Sequence, residues 1–204
     1  MSRSRGRLLV VSAPSGTGKT TLCRRLVDSD PRFVPSVSYT TRKPRPGEVP
    51  GRDYHFIARD EFARLSEAGE LLEWAEIYGD LYGTGKLWIE EKLREGKQVV
   101  LSIDVQGASQ LKASRKDAVF VFILPPSPDT LRERLSSRRT ETEQSLSRRL
   151  ALARREMEEI EGYDYILVNA ELDETVSALR AIASGKAPEG ALTQARAREI
   201  RERF

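Results

Sequence analysis

Four short and almost unbroken apolar runs stand out along the chain: residues 8–11 (LLVV), 98–105 (QVVLSIDV, ending at Asp104), 118–124 (AVFVFIL) and 164–168 (DYILV). Continuous apolar character marks strands covered on both faces, as in a parallel sheet between helices. The segments between them carry helical spacing. One helix is expected over residues 20–28, ended by Pro31, and another over 84–95, with Leu87, Ile89 and Leu93 among its apolar residues. Ser127 reads as an N-cap with Pro128 at the first helical position, and Leu131 and Leu135 repeat at i, i+4 behind it. A longer helix over 143–161 places Leu146, Leu150, Ala153, Met157 and Ile160 on one stripe. A further helix is expected over 171–184, and the charge-rich stretch 191–204 reads as a surface helix, with Leu192, Ile200 and Phe204 to dock it either on the body or on a partner. Strands alternating with helices give the α/β class with a parallel sheet.

The texture changes between residues 35 and 85. Pro44, Pro46 and Pro50, with glycines at 47, 51, 79, 83 and 85, punctuate short segments. A small mixed region with short strands is expected there, with one helix near 60–68 that turns Phe62 and Leu65 inward. At 204 residues the chain reads as one domain with inserted subregions, long enough to build a core without disulfide staples.

Composition narrows the chemistry. The single cysteine, Cys23, excludes an internal disulfide and a cysteine-cluster metal site, and it reads as a packing residue of the first helix. The single histidine, His55, excludes a histidine-rich zinc site. A net charge of +3, from 34 basic and 31 acidic residues, is too balanced for a general nucleic-acid binder. No apolar run approaches a membrane span, and the basic start MSRSRGR lacks the apolar core and cleavage site of a secretory signal. A cytoplasmic protein is expected, with monomer and homo-oligomer both compatible.

The candidate chemistry begins at LLVVSAPSGTGKTT, residues 8–21. A buried strand runs into a turn bearing Gly16 and Gly18 and then into a helix opening with Lys19 and Thr20. This is the layout of a phosphate-binding P-loop. Glycines let the backbone N–H groups wrap an anion, and the helix N-terminus adds its positive dipole end. The segment Ala13, Pro14, Ser15, Gly16, Thr17, Gly18, Lys19, Thr20 and Thr21 is therefore expected to hold ATP, with Lys19 on the β- and γ-phosphates and the Thr20 hydroxyl on Mg²⁺. Ala13 stands where the usual motif has glycine, which is tolerable if its φ stays negative.

A P-loop names a donor and leaves the acceptor open. Arg42 and Arg45 sit three apart on a proline-stiffened segment, with Tyr54 beyond. Two guanidinium forks and a phenol can hold a phosphate monoester, although such a pair is also what a solvated basic patch looks like. The wider pattern S-x-x-x-R-x-x-R-x-G-E-x-x-G-x-D-Y-x-F, followed by L-x-E-W-A and Y-x-x-x-Y-G-T, resembles guanylate kinase, and the likeness runs from the P-loop through Asn169.

The resemblance implies a P-loop NTPase-type parallel sheet flanked by helices (core 1–36, 87–124 and 162–204). It also implies an inserted GMP-binding region (37–86) and a helical lid (125–161). By position, Arg42, Arg45 and Tyr54 would bind the GMP phosphate with help from Tyr82, while Ser38, Glu73 and Thr84 would read guanine. The chemistry agrees. Guanine offers N1–H and its 2-amino group as adjacent donors, which one carboxylate can accept, and hydroxyls can donate to O6. Adenine presents an acceptor at N1 and leaves such a carboxylate poorly paired, a mismatch that can discriminate by about 10⁴-fold. Asp104 resembles the strand-end carboxylate that organises Mg²⁺ and its waters near the acceptor, although a helix-capping aspartate would look the same. Arg134, Arg138 and Arg149 match the lid residues that converge on the transferring phosphoryl group, and Asn169 matches a residue near the adenine or the lid closure. One departure stands at Ser102, where the family usually has an acidic residue.

The implied reaction is Mg²⁺-dependent transfer of the ATP γ-phosphoryl group to GMP, with dGMP as a further acceptor. The attacking phosphate oxygen is already anionic, so no general base is required, in keeping with a chain that has one histidine. Two other readings share the P-loop. One is a related kinase of another phosphorylated acceptor such as a ribose bisphosphate. The other is a non-catalytic guanylate-kinase-like binding module, which typically lacks the P-loop lysine and lid arginines kept here.

Overall fold

The computed structural model describes residues 5–77, 79–136 and 143–204. In chain order the elements are β1 (Leu8–Ser12), α1 (Lys19–Ser29), β2 (Phe33–Pro35), β3 (Tyr39–Thr40), β4 (His55–Phe56), α2 (Arg59–Glu67), β5 (Leu71–Ile77), β6 (Asp80–Gly85), α3 (Lys86–Arg94), β7 (Gln98–Ser102), α4 (Val105–Ser114), β8 (Val119–Leu124), α5 (Pro128–Ser136), α6 (Glu143–Glu158), a 3₁₀ turn (Glu159–Gly162), β9 (Tyr165–Val168), α7 (Leu172–Ala183) and α8 (Gln194–Arg201).

The main sheet is parallel, in the order β2-β7-β1-β8-β9. The strand that feeds the P-loop is thus central, with Val10 aligned on Leu101 of β7 and on Phe120 of β8. Its five residues are all buried, and successive side chains serve opposite faces. Leu8 and Val10 pack with Ile89 and Leu93 of α3, Leu111 of α4 and Met157 of α6. Leu9 and Val11 pack with Leu22 and Leu26 of α1 and Leu179 of α7. Strand order reverses at β1, and the crevice beyond the carboxyl ends of strands at such a point is where open α/β sheets bind ligands.

A second, mixed sheet has the order β4-β3-β6-β5, with β5 and β6 an antiparallel hairpin. Phe62 and Leu65 of α2 are buried beneath it, as their spacing suggested. β5 is its edge strand, and the open side of β5 meets α4 of the main body.

The structure corrects several element boundaries. β7 stops at Ser102, and Asp104 is the N-cap of α4, a helix the apolar pattern did not predict. Thr84 and Gly85 belong to β6 rather than to the helix, and Leu87 is 73% exposed while Ile89 and Leu93 are buried. Phe33–Pro35 adds a fifth, edge strand to the main sheet. The 143–161 helix breaks into a 3₁₀ turn at Glu159. Of the two alternatives for the C-terminal helix the structure shows docking on the body, with Ala197 buried and Leu192, Ile200 and Phe204 against the core. Among the described residues no helix is long and apolar enough to cross a membrane.

Candidate active site

The turn after β1 takes its left-handed backbone at Gly16 (φ 89°) and Gly18 (φ 94°), and Gly18 is the N-cap of α1. Gly16 has a second constraint, because a Cβ there would lie 2.7 Å from Leu135 of α5. Behind the loop the Thr17 carbonyl accepts two hydrogen bonds, from Asn169 Nδ2 at 2.7 Å and from Arg134 Nη1 at 3.1 Å. Asn169 is buried and spends its amide on the loop, so in this structure it braces the P-loop from the end of β9. Ala13, at the position where glycine is usual, is also buried. A cavity of about 550 Å³ opens over the loop and is bounded by Pro14, Gly16, Gly18, Thr20, Thr21 and Arg134, with Glu156 of α6 across from them.

A second cavity of about 650 Å³ lies between this loop and the small sheet. Ser38, Arg45, Tyr54, Glu73 and Tyr82 form its far wall, and Arg148 and Arg149 of α6 flank it. The two cavities share three residues: Ser15, Lys19 and Asp104. These stand at the junction. Lys19 Nζ donates to the Ile103 carbonyl, and burial lowers its pKa against the opposing fields of neighbours that include Asp104, Glu156 and Glu73. Asp104 Oδ1 accepts from the Gly107 amide at 2.8 Å, so the aspartate does cap a helix while its carboxyl borders both cavities. Ser102, in place of the usual acid, lines the larger cavity.

Glu73 is the buried carboxyl of the far wall. β5 and β6 set it opposite Thr84, whose hydroxyl donates to Glu73 Oε1. Burial raises its pKa to about 7, only partly offset by that hydrogen bond. Its other oxygen rests on α4, where a Cβ at Gly107 would come within 2.3 Å.

The two arginines of the proline-stiffened segment differ. Arg42 is held bidentately by Glu48 (2.9 and 3.0 Å), donates Nε to Tyr82 Oη at 3.1 Å and Nη1 to the Lys43 carbonyl at 2.8 Å, and lies over the Tyr54 ring at 5.3 Å. The Glu48 bonds raise its pKa further, so it stays charged. Arg45 is exposed and lines the cavity directly, with Tyr54 and Tyr82 beside it. The lid candidates also divide. Arg149 Nη2 donates to Ser15 Oγ at 3.0 Å, Arg134 reaches the Thr17 carbonyl, and Arg138 lies outside the described residues.

Three functional neighbours escaped the sequence reading. Glu48 orders Arg42 and accepts from the Arg45 amide at 2.7 Å. Glu156 accepts from the Ser15 amide at 3.4 Å, and burial raises its pKa to about 7. The only sequence signal for Glu156 was its position seven residues after Arg149, on the same helix face. Glu48 is only a letter of the pattern quoted above, and Gly107 only the glycine that closes LSIDVQG, residues 101–107, and neither carries a role in that reading.

Among the described residues no three His, Cys, Asp or Glu side chains are gathered to hold a metal. The exposed Thr20 hydroxyl and the Asp104 carboxyl, both on the cavity over the loop, fit Mg²⁺, which keeps several waters and is usually held through one or two carboxylates and phosphate oxygens.

The geometry agrees with what the chain resembles elsewhere. A family profile for guanylate kinase matches residues 5–185. The guanylate kinase of Nitratidesulfovibrio vulgaris is 52% identical over 182 residues, covering 89% of this chain and 88% of that protein. That of Geobacter sulfurreducens is 47% identical over 177 residues, with 87% of each covered. The crystal structure of guanylate kinase from Anaplasma phagocytophilum superposes with a TM-score of 0.76 at 34% identity, covering 100% of this chain and 99% of that one. With a strand-fed phosphate loop facing a buried Glu–Thr pair, and relatives of this similarity along nearly its full length, the chain belongs to the guanylate kinase family.

Proposed function

We propose that the two cavities divide the family reaction, transfer of the ATP γ-phosphoryl group to GMP, between a donor side over the P-loop and an acceptor side against the small sheet. The observation that carries this reading is their junction, where Ser15, Lys19 and Asp104 border both. The transferred group has to pass between the two sites, and the one lysine of the P-loop stands at the crossing.

On the donor side the backbone N–H groups of residues 15–20 and the α1 N-terminus take the ATP phosphates, and Lys19 takes the β- and γ-groups. When bound, Mg²⁺ neutralises the β- and γ-phosphate oxygens, and Thr20 and Asp104 are the residues that would hold it or its waters. On the acceptor side Arg45, Tyr54 and Tyr82 hold the GMP phosphate, with Arg42 oriented by Glu48 behind them. Glu73 accepts from guanine N1–H and the 2-amino group, and Ser38 and Thr84 complete the reading of the base. Residues 37–86 thus act as the acceptor region and 125–161 as a lid. Arg134, Arg138 and Arg149 neutralise the transferring group and exclude water, a contribution that reaches about 10³–10⁵-fold where arginines serve phosphoryl transfer.

The acceptor oxygen attacks as an anion, so alignment and charge neutralisation carry the rate. A kinase of another phosphorylated acceptor would have no use for a buried carboxyl in the acceptor cavity with a hydroxyl set behind it. A cytoplasmic setting follows from the reaction, since ATP and GMP are supplied there. Measuring ADP release across GMP, dGMP, IMP, AMP, CMP and UMP tests the assignment. Efficient turnover confined to guanine nucleotides supports it, and comparable turnover with AMP overturns it.

A further inference from the structure

Where the small sheet meets the main body, one side chain acts as a strand. β5 is an edge strand, so the outward N–H and C=O of Trp74 have no strand partner. Gln110 of α4 supplies both. Its Oε1 accepts from Trp74 N at 3.2 Å and its Nε2 donates to Trp74 O at 2.6 Å. The two bonds together fix the orientation of the amide, because only one way round pairs donor with acceptor twice. Trp74 is the residue next to Glu73. On α4, Asp104, Gly107 and Gln110 follow one another at i, i+3 and i+6, a single helix face. Gly107 of that face receives the Glu73 carboxyl where any Cβ would collide with it.

We propose that Gln110 is a positioning residue for base recognition: by clamping the Trp74 backbone it holds β5 at the one distance from α4 at which Glu73 meets the 2-amino edge of guanine. This rests on the reading of Glu73 given above. Gln110 is exposed and contacts neither cavity around the phosphates, so its influence is confined to where the strand sits. Loss of the clamp frees β5 to move away from α4, widening the gap that Glu73 has to bridge. The phosphate subsites lie on the loop between β3 and β4 and on β6, on the far side of β5 from α4.

The test is the acceptor preference of Gln110→Ala, read as kcat and KM for GMP against IMP, which lacks the 2-amino group. The KM for GMP rises about tenfold, the loss expected for a pair of modest hydrogen bonds, while kcat and the KM for ATP stay within about twofold. The GMP-over-IMP preference narrows by a similar factor. Gln110→Glu keeps the acceptor for the Trp74 amide and sets a carboxylate against its carbonyl, so it gives an intermediate narrowing; it carries the same test if Gln110→Ala does not fold. A variant with an unchanged preference, or one in which both acceptors and ATP suffer alike, overturns the proposal. Glu73→Gln is measured alongside. If it too leaves the GMP-over-IMP ratio intact, the reading of Glu73 fails and takes Gln110 with it. If it collapses the ratio while Gln110→Ala does not, only the role of Gln110 is lost.

Discussion

Glu73 rests its carboxyl on the one residue of α4 that offers it room: a Cβ on Gly107 would stand 2.3 Å from Glu73 Oε2. Glycine inside a helix ordinarily costs roughly 0.5–1 kcal/mol relative to alanine. Here that cost makes space for the carboxyl proposed above to read guanine. Gly107→Ala should therefore fold as well as the parent or better, since a side-chain tip can swing away, yet it should displace the carboxyl. The expected result is a fall in kcat/KM for GMP of more than about tenfold, with ATP affinity within about twofold. Steady-state kinetics and a thermal midpoint, taken together, check it.

Glu156 places a second carboxyl where the proposed function puts a phosphate, on the Ser15 amide at 3.4 Å and beside Lys19. With its pKa pushed up to about 7 by burial, it is mostly neutral at pH 6 and mostly charged at pH 8. Charged, it repels the incoming triphosphate by about 1 kcal/mol, or roughly fivefold in affinity. Glu156→Gln should thus bind ATP about as tightly as the parent at pH 6 and about fivefold more tightly at pH 8. Calorimetric titration at the two pH values tests this, and the difference between the proteins cancels the titration of the nucleotide itself. A parent and variant that track each other across the range would contradict it.

The same two carboxyls give the fold a pH signature. In the unfolded chain they release their protons near the ordinary 4.5, and in the folded chain only near 7. Folding takes up protons between those values, so their contribution is fully present below about 4.5 and is lost as pH rises through 7. Glu48, Asp53 and Asp117 act in the opposite sense. The Arg42 pairing, the Val49 amide and the Arg115 pairing, respectively, hold them below the ordinary carboxyl range, so their contribution is lost in acid. The thermal midpoint should peak near pH ~5, well below the sequence pI of about 9.1. Changing both Glu73 and Glu156 to Gln should flatten its decline between pH 5 and 8. A parent that is equally stable at both would refute the assignment.

Lys19 is half-buried and desolvation lowers its pKa, so the fold bears a cost to keep it. Lys19→Met should leave the thermal midpoint unchanged or raised while turnover falls by about 10³ or more, a loss in the range that charge-stabilising groups supply.

Much of this was legible in the sequence, for physical reasons. Strands buried on both faces leave unbroken apolar runs, so β1 and β8 could be read almost to the residue. The P-loop was legible because its chemistry demands small residues, a lysine and a hydroxyl in a fixed order. α4 was not, because VQGASQLKAS buries only Gly107, Ala108 and Leu111, and glycine and alanine leave little apolar periodicity. Asp104 was its one signal, and it reads equally as cap or ligand. β2 was hidden by its three-residue length and its proline. The identity of Glu73 was visible, but its burial was not, since that is created by α4 and β6 arriving from elsewhere in the chain. The brace between Asn169 and Thr17, 152 residues apart, is likewise a product of the sheet order alone.

The central claim is that a guanylate sits against the small sheet, facing a triphosphate on the P-loop. A crystal structure of the chain with GMP and a non-hydrolysable ATP analogue tests it most directly. The expected map has guanine N1 and N2 about 3 Å from the Glu73 carboxyl oxygens and the analogue's β-phosphate on the amides that follow Ser15. A purine monophosphate bound away from residues 38–84, or absent at saturating concentration, would contradict it.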